Sequence, residues 1–409
     1  MKLQLEILHK RVAGIDVHRM KHVVSVLAED ATGNLTRETR EFGGFKRDLK
    51  ALAAWLRELD VELVILESTG IYWKSVYARL EEVGLRSWVV NAHHVKNVPG
   101  RKTDVADSEW LAQLGRYGLV RASFIPPKDL RELRLVSRYR RKVEANVTAE
   151  TNRMHKMLDD AGIKLGGLVA DINGRAARAM VDGLLDGLAP SELIKFSGRL
   201  KAPKADLLAS LEGDLSARHR LVLTEIREHI QQLERRLEKL DAYLRDAMVP
   251  YAWAWTLLQT IPGISEMAAA MILIEIGDDL SHFGNADRFA SWAALCPGNN
   301  ESAGKRKSGK TRKGNAIIRY LLCEAANGAI RTLSVFREKY RGLVVRRGHK
   351  KAIVAIAHKM IRTIYFMLTR RQAYHDSGFD YAAANVKKNA PRWIKALELH
   401  GYVVKLSAA

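Results

Sequence analysis

Cysteine is nearly absent: the 409 residues hold two, Cys296 and Cys323. Two thiols make neither a disulfide framework nor a zinc site, and they point to a reducing compartment. The first stretch, MKLQLEILHKRVAGIDV, lacks the long apolar segment of a secretory signal. The longest apolar run, MAAAMILIEIG at 267–277, is too short to span a bilayer. Acid is also short, with 46 Asp and Glu against 67 Lys and Arg, for a net charge of +21. Such an excess calls for a polyanionic partner, with nucleic acid first. The basic residues are spread over several segments rather than gathered on one amphipathic anchor, so no membrane partner is expected.

What is present is a globular balance, 47% hydrophobic and 28% charged, with length for two or three cores. RVAGIDVH, KHVVSVLAED and GNLTRETREFGG read as three strands in a meander. FKRDLKALAAWLRELD and YWKSVYARLEEVG read as helices, VELVILEST as a buried strand between them, and RSWVVNAHHV as a fifth strand. KTDVADSEWLAQLGRYG follows as a helix. A meander followed by alternating helices and strands predicts a mixed sheet with helices on its faces.

The remainder reads as helical. Residues 128–159 form one long helix carrying Arg131, Arg134, Arg138, Arg140, Arg141 and Lys142, which suits contact along a nucleic-acid backbone. Residues 161–216 read as an insert of short helices. From Leu223 through Ile226, Ile230, Leu233, Leu237 and Leu240 to Leu244, apolar residues alternate spacings of three and four, a heptad seam. It predicts pairing with the 128–159 helix or with another subunit. LLQTIPGISEMAAAMILIEIGD has the form of a helix-hairpin-helix, whose turn at Pro262 and Gly263 offers backbone amides to a phosphate. The segment 296–315 reads as a flexible basic loop, with Lys305, Arg306, Lys307, Lys310, Arg312 and Lys313 set among glycines as phosphate binders. Residues 315–334 and 350–371 read as closing helices, the second with a basic face, and 376–409 as a mixed tail.

Four acids are candidates for chemistry. Asp16 stands inside the first strand among Val, Ile and Gly, where a charge is costly unless paired or metal-bound. Glu67 ends the buried strand. Asp104 and Asp107, three apart at a helix start, share a face. Four carboxylates from three elements suit Mg²⁺ or Mn²⁺, and a pair of such ions clamps the attacking and leaving oxygens of a phosphodiester. In the 296–315 loop, Ser302, Ser308 and Thr311 are all candidate hydroxyls, which the residues alone do not rank.

Through GIDVHRMKHVVSV, LESTGIYWKSVYARL, GRKTDVADSEWLA and PGNNESAGK…KGN, the chain resembles the DEDD-type transposases of the insertion-sequence one-ten family. The nuclease domain of that family is similar to the Holliday-junction resolvase RuvC. The resemblance implies a ribonuclease-H-like (RuvC-like) α/β domain, long coiled-coil helices and an all-α transposase domain. It implies Asp16, Glu67, Asp104 and Asp107 as the metal-binding acids and Ser302 as the nucleophile, with Lys305 and Arg306 offsetting developing charge. It also implies donor and target DNA as substrates, a structured non-coding guide RNA read by shape and backbone, and a homo-oligomer, dimer or tetramer. The expected location is the cytoplasm of a bacterial or archaeal cell, at the nucleoid.

The expected divisions are 1–125 for the nuclease domain, 126–250 for the long helices and insert, 251–375 for the serine-bearing helical domain, and 376–409 for the tail. The rival function is a junction-specific endonuclease with water as nucleophile, which needs the acids and not Ser302. A non-catalytic nucleic-acid scaffold is a third. A sugar-kinase-like ATPase would want a glycine-rich phosphate turn after the first strand, which GIDVHRMKHVV lacks.

Overall fold

The computed structural model describes residues 6–30, 32–68, 70–98, 106–198, 200–298, 300–302, 305–308, 311, 314–376, 378 and 381–403, with 93, 300–302, 306–308, 381, 382, 384 and 385 as backbone only. The chain divides into two compact units, Met1–Lys128 and Asp129–Ala409.

In the first unit β1 (Arg11–Val17), β2 (Lys21–Glu29) and β3 (Leu35–Gly43) form the antiparallel meander. After α1 (Lys46–Glu58), β4 (Leu63–Glu67) lies parallel to β1 on its other side. After α2 (Trp73–Glu82), β5 (Ser87–Val90) lies parallel to β4. The order β3-β2-β1-β4-β5 and these directions make the ribonuclease-H-like mixed sheet. RSWVVNAHHV is not all strand: pairing stops at Val90, and α3 (Ala92–Lys96) starts after Asn91, whose carbonyl accepts from the amides of His94 and Val95. α4 (Asp107–Arg116) completes the unit.

Both faces of the sheet are covered, which is why LVILE is apolar without alternation. Ala13, Ile15, Val64 and Leu66 pack with Leu52 and Leu56 of α1 and Val76 and Leu80 of α2. Val12, Leu63 and Ile65 pack on the other face with Trp110, Leu111 and Leu114 of α4. At one edge, β3 (LTRETREFG) is polar, which protects an exposed edge strand. Gly14 of β1 is where α4 comes closest: a Cβ there would stand 1.9 Å from the Ser108 carbonyl oxygen and 2.5 Å from the Ala112 nitrogen.

The second unit is mostly helical. α5 (Lys128–Asp160) is followed by the insert, α6 (Arg175–Leu185), α7 (Pro190–Leu193) and α8 (Lys204–Leu211), and then by α9 (Ala217–Ala247). α5 and α9 run antiparallel. His219 meets Asp160 at 2.9 Å, His229 meets Glu150 at 3.2 Å, and Arg140 meets Asp241 at 3.1 Å. Leu223, Ile226 and Ile230 of the heptad seam pack with Met154 and Leu158 of α5 and with the insert helices. The partner of this end of the seam is therefore within the chain. Next come α10 (Ala252–Gln259), α11 (Glu266–Ile276), α12 (Ala286–Trp292), the strands β6 (Asn300–Ser302) and β7 (Lys305–Ser308), α13 (Ala316–Ala329), α14 (Val335–Arg347), α15 (His349–Arg370) and α16 (Tyr381–Leu399).

α15 is long and apolar enough, by length and composition, to cross a membrane, which the sequence reading did not foresee. Its apolar stripe of Ile353, Ile356, Met360, Ile361 and Ile364 is buried, and Tyr365 meets Phe289 of α12 with ring centroids 6.1 Å apart. It packs as a core helix of this unit.

Candidate functional site

The acids of the first unit are placed by strand register. β1 and β4 pair in parallel as far as Ile15 and Leu66, so Asp16 and Glu67 are the next residues of adjacent strands. Side chains alternate faces along a strand. Ala13, Ile15, Val64 and Leu66 belong to the α1–α2 face, which puts Asp16 and Glu67 on the face that α4 covers. α4 runs antiparallel to β1: Ser108 stands over Gly14, and the carbonyl of Arg116 accepts from the amide of Leu8 at 2.9 Å. The first residue of α4, Asp107, therefore lies toward the strand ends that carry Asp16 and Glu67. The backbone thus brings Asp16, Glu67 and Asp107 to one end of one face.

The start of α4 is pinned by hydroxyls, two of them, Ser25 and Ser108, buried. Ser108 Oγ lies 2.8 Å from Ser25 Oγ, which lies 2.9 Å from Thr39 Oγ1. Ser25 is opposite Gly14 in the β1–β2 register. The chain Thr39–Ser25–Ser108 ties β3, β2 and the first turn of α4 together directly beside Asp107. Other acids of this face are held by arginine. Glu109 accepts from Arg37 at 2.7 Å, and Glu29 pairs with the buried Arg116. Asp16 is paired with His18, Nε2 to Oδ2 at 3.0 Å, and keeps 30% side-chain exposure. In the neighbouring strand, burial first and the positive field of His18 second hold the His22 imidazole below its usual pKa.

Asp104 lies outside the described residues. Among the described residues, no three His, Cys, Asp or Glu side chains stand close enough together to hold one ion. The donor chemistry of Asp16, Glu67 and Asp107, carboxylate oxygen throughout, fits a hard divalent cation.

In the second unit the segment read as a flexible loop is a β-ribbon. β6 and β7 pair antiparallel, with Glu301 opposite Arg306 and Ser302 opposite Lys305, and Pro297 bridges Thr311 at its base. Ser302 thus ends β6, and Lys305 begins β7 at the position facing it. Ser308 ends β7, while Lys310, Arg312 and Lys313 lie outside the described residues.

Three arginines read as nucleic-acid contacts, Arg134, Arg138 and Arg140, are tied to acids of the chain, Arg140 to Asp241 as described above. Arg138 of α5 makes a two-pronged bond to Glu275 of α11, Nε to Oε1 at 3.0 Å and Nη2 to Oε2 at 3.2 Å. Arg134 donates to the Ile274 carbonyl at 3.2 Å, and burial lowers its pKa to about 10. Arg141 lies over the Tyr320 ring, 5.1 Å from its centroid; Arg131 is partly buried and Lys142 exposed. Glu275 itself was missed. Its signal was a single carboxylate in an otherwise apolar run.

The helix-hairpin-helix turn has a packing role. Gly263, at φ +86°, faces α13 so closely that a Cβ would stand 2.2 Å from the Ala325 carbonyl oxygen and 2.5 Å from the Ala329 nitrogen. The start of α11 is capped by Ser265, whose Oγ accepts from Ala268, and carries the acid Glu266, which Arg245 pairs at 3.0 Å. An acid at that terminus opposes a bound phosphate. Packing accounts for the glycine.

Comparison with known proteins matches both units. Residues 13–163 match a family model of DEDD, IS110-type transposases, and residues 255–341 match one described as the transposase IS116/IS110/IS902 family. The first takes in all four candidate acids, and the second takes in Glu275 and Ser302. The chain is 26% identical over 331 residues to a probable family 20 transposase of Pseudomonas aeruginosa, covering 78% of this chain and 88% of that protein. It is 24% identical over 326 residues to the transposase for insertion sequence element IS1111A of Coxiella burnetii, covering 77% and 80%. The solved structure of Thermus thermophilus RuvC matches 28% of this chain and 99% of its own, at 16% identity and a TM-score of 0.21.

Proposed function

Because this chain belongs to the IS116/IS110/IS902 family of transposases, we propose that it moves its insertion sequence by metal-dependent DNA cleavage and a covalent serine–DNA link. The observation that carries this reading is the register that sets Asp16 beside Glu67 under the start of α4, where Asp107 stands. Acids brought to the same end of one sheet face repel each other as they approach, and a cation between them would relieve that repulsion. When bound by Asp16, Glu67, Asp104 and Asp107, Mg²⁺ or Mn²⁺ would polarise the scissile phosphate. The Ser302 hydroxyl loses its proton as its oxygen bonds to phosphorus, the bond to the departing sugar oxygen breaks, and that oxygen leaves with the electron pair and takes up a proton to become the sugar hydroxyl. Lys305, opposite Ser302, and Arg306 offset the charge that develops on phosphate.

The acids are assigned to segment 1–125, the nucleic-acid grip to 126–250, and the nucleophile to 251–375. Arg131, Arg141 and Lys142 are the proposed backbone contacts on α5, and the ribbon lysines and arginines those near Ser302. A structured RNA from the element is the proposed guide, with base pairing reading sequence and the protein gripping shape. The proposed assembly is a dimer or tetramer.

The test incubates purified protein with labelled element-end DNA, the flanking RNA and Mg²⁺, followed by a denaturing gel. A protein–DNA adduct that is lost in Ser302→Ala supports the reading. Cleaved DNA without an adduct, unchanged in Ser302→Ala, replaces it with the junction endonuclease that uses water.

A further inference from the structure

Glu275 sits in the most apolar helix of the chain and is fully buried. A carboxylate there needs countercharge and hydrogen bonds. Arg138 supplies a fork from α5, and Arg134, one turn earlier, stands 3.3 Å from Oε2. A third partner comes from further along the chain: Asn315 Nδ2 donates to Glu275 Oε2 at 2.8 Å. The other amide atom of Asn315, Oδ1, accepts from the backbone amides of Ile317 and Ile318 at 3.0 and 3.2 Å, capping α13. Asn315 is the residue at which the second leg of the β6–β7 ribbon enters that helix. Four residues earlier, Thr311 bridges Pro297 of the first leg and accepts from Arg319 of α13 at 3.4 Å.

Stability alone does not explain the cluster. An apolar residue at 275 would bury as well, and replacing buried ion pairs by apolar side chains is often neutral or stabilising. What the fork and the amide add is direction: each bond fixes an orientation that packing leaves loose. That direction is delivered to the base of the ribbon carrying Ser302.

We propose that Glu275 is a positioning residue for the nucleophile: through Asn315 it fixes the base of the β6–β7 ribbon, and with it the place at which Ser302 meets DNA. The functional half of this inference rests on Ser302 as nucleophile; the anchoring half does not.

The test exchanges donor and acceptor. Asn315→Asp keeps the capping oxygen but sets a carboxylate against Glu275. Adding Glu275→Gln returns one amide and one carboxylate to the pair with the same net charge. Full-length protein is followed by amide hydrogen exchange over 300–308 and by the rate of adduct formation on labelled element-end DNA. Asn315→Asp is expected to speed ribbon exchange and slow adduct formation by about tenfold or more, with exchange in α10 and α15 unchanged. The double variant gives back the donor–acceptor pair but only one acceptor oxygen for the Arg138 fork, so it is expected to recover part of both losses. Ribbon exchange unchanged in Asn315→Asp, or a double variant no better than the single, overturns the anchoring. Ribbon exchange that speeds while the adduct rate stays at wild type overturns the positioning role. If the wild-type chain forms no adduct, the serine reading falls, and the exchange data still decide whether Glu275 anchors the ribbon.

Discussion

Gly14 of β1 lies directly beneath Ser108 of α4, so close that the missing Cβ would be 1.9 Å from the Ser108 carbonyl oxygen. The contact is backbone on backbone, and no rotamer change relieves it. It sets how near Asp107 comes to the sheet end bearing Asp16. Gly14→Ala is therefore expected to cost at least about 1–3 kcal/mol, the usual range for overpacking. Urea unfolding measures it. A variant as stable as wild type would mean that α4 does not lie on Gly14.

Asp16→Asn should separate chemistry from folding. The pair with His18 is exposed, and such pairs contribute about 0–1 kcal/mol. The variant should melt close to wild type without metal. Mg²⁺ or Mn²⁺ should raise the wild-type melting point by binding only the folded state, and that rise should shrink in Asp16→Asn along with DNA cleavage. Equal metal-induced shifts in the two proteins would remove Asp16 from the ligand set.

The sheet was legible in sequence because its signals are local. LVILE is apolar throughout, as a strand covered on both faces must be, and the polar string of β3 marks an edge. The heptad seam was legible for the same reason. The end of β5 was not: VVNAHHV suits a strand up to Val95, but that side chain joins the α4 core from a helical turn, a tertiary preference overriding a local one. The ribbon bearing Ser302 has no apolar alternation, so its pairing left no pattern. Among the acids, Asp16 and Glu67 were readable from position in their strands. The pairing of Arg134 and Arg138 with Glu275 left no signal because Glu275 lies 137 positions from Arg138, beyond the reach of any periodicity.

That pairing yields a prediction about α5. Lys142 is exposed, whereas Arg138, though 41% exposed, is tied to Glu275. Lys142→Ala should weaken nucleic-acid binding across sequences and reduce the salt slope of log K by about 0.7–0.9, one phosphate contact. Arg138→Ala should leave that slope unchanged and lower stability, since it removes a partner from a buried charge. Titrations at several salt concentrations, beside melting curves, read both. The reverse pattern would return Arg138 to the nucleic-acid interface.

Three histidines contribute to a loss of stability in mild acid. Burial is the largest cause lowering the pKa of each: His22 in the sheet, His282 against the Phe283 ring at 4.0 Å, and His358 in α15, where Lys339 adds to the effect. Below the ordinary histidine pKa of about 6.5 the unfolded chain takes up protons that these folded sites resist. Protons then favour the unfolded state, so stability falls as pH drops through that value toward the lower folded pKa values. The midpoint of thermal unfolding should decline between pH 7.5 and 5.5. His282→Gln tests one contributor, since it removes the titrating group while keeping a polar side chain. Its melting point should decline less over that range than the wild-type one. An equal decline would mean that His282 stays as easily protonated in the fold as in the unfolded chain.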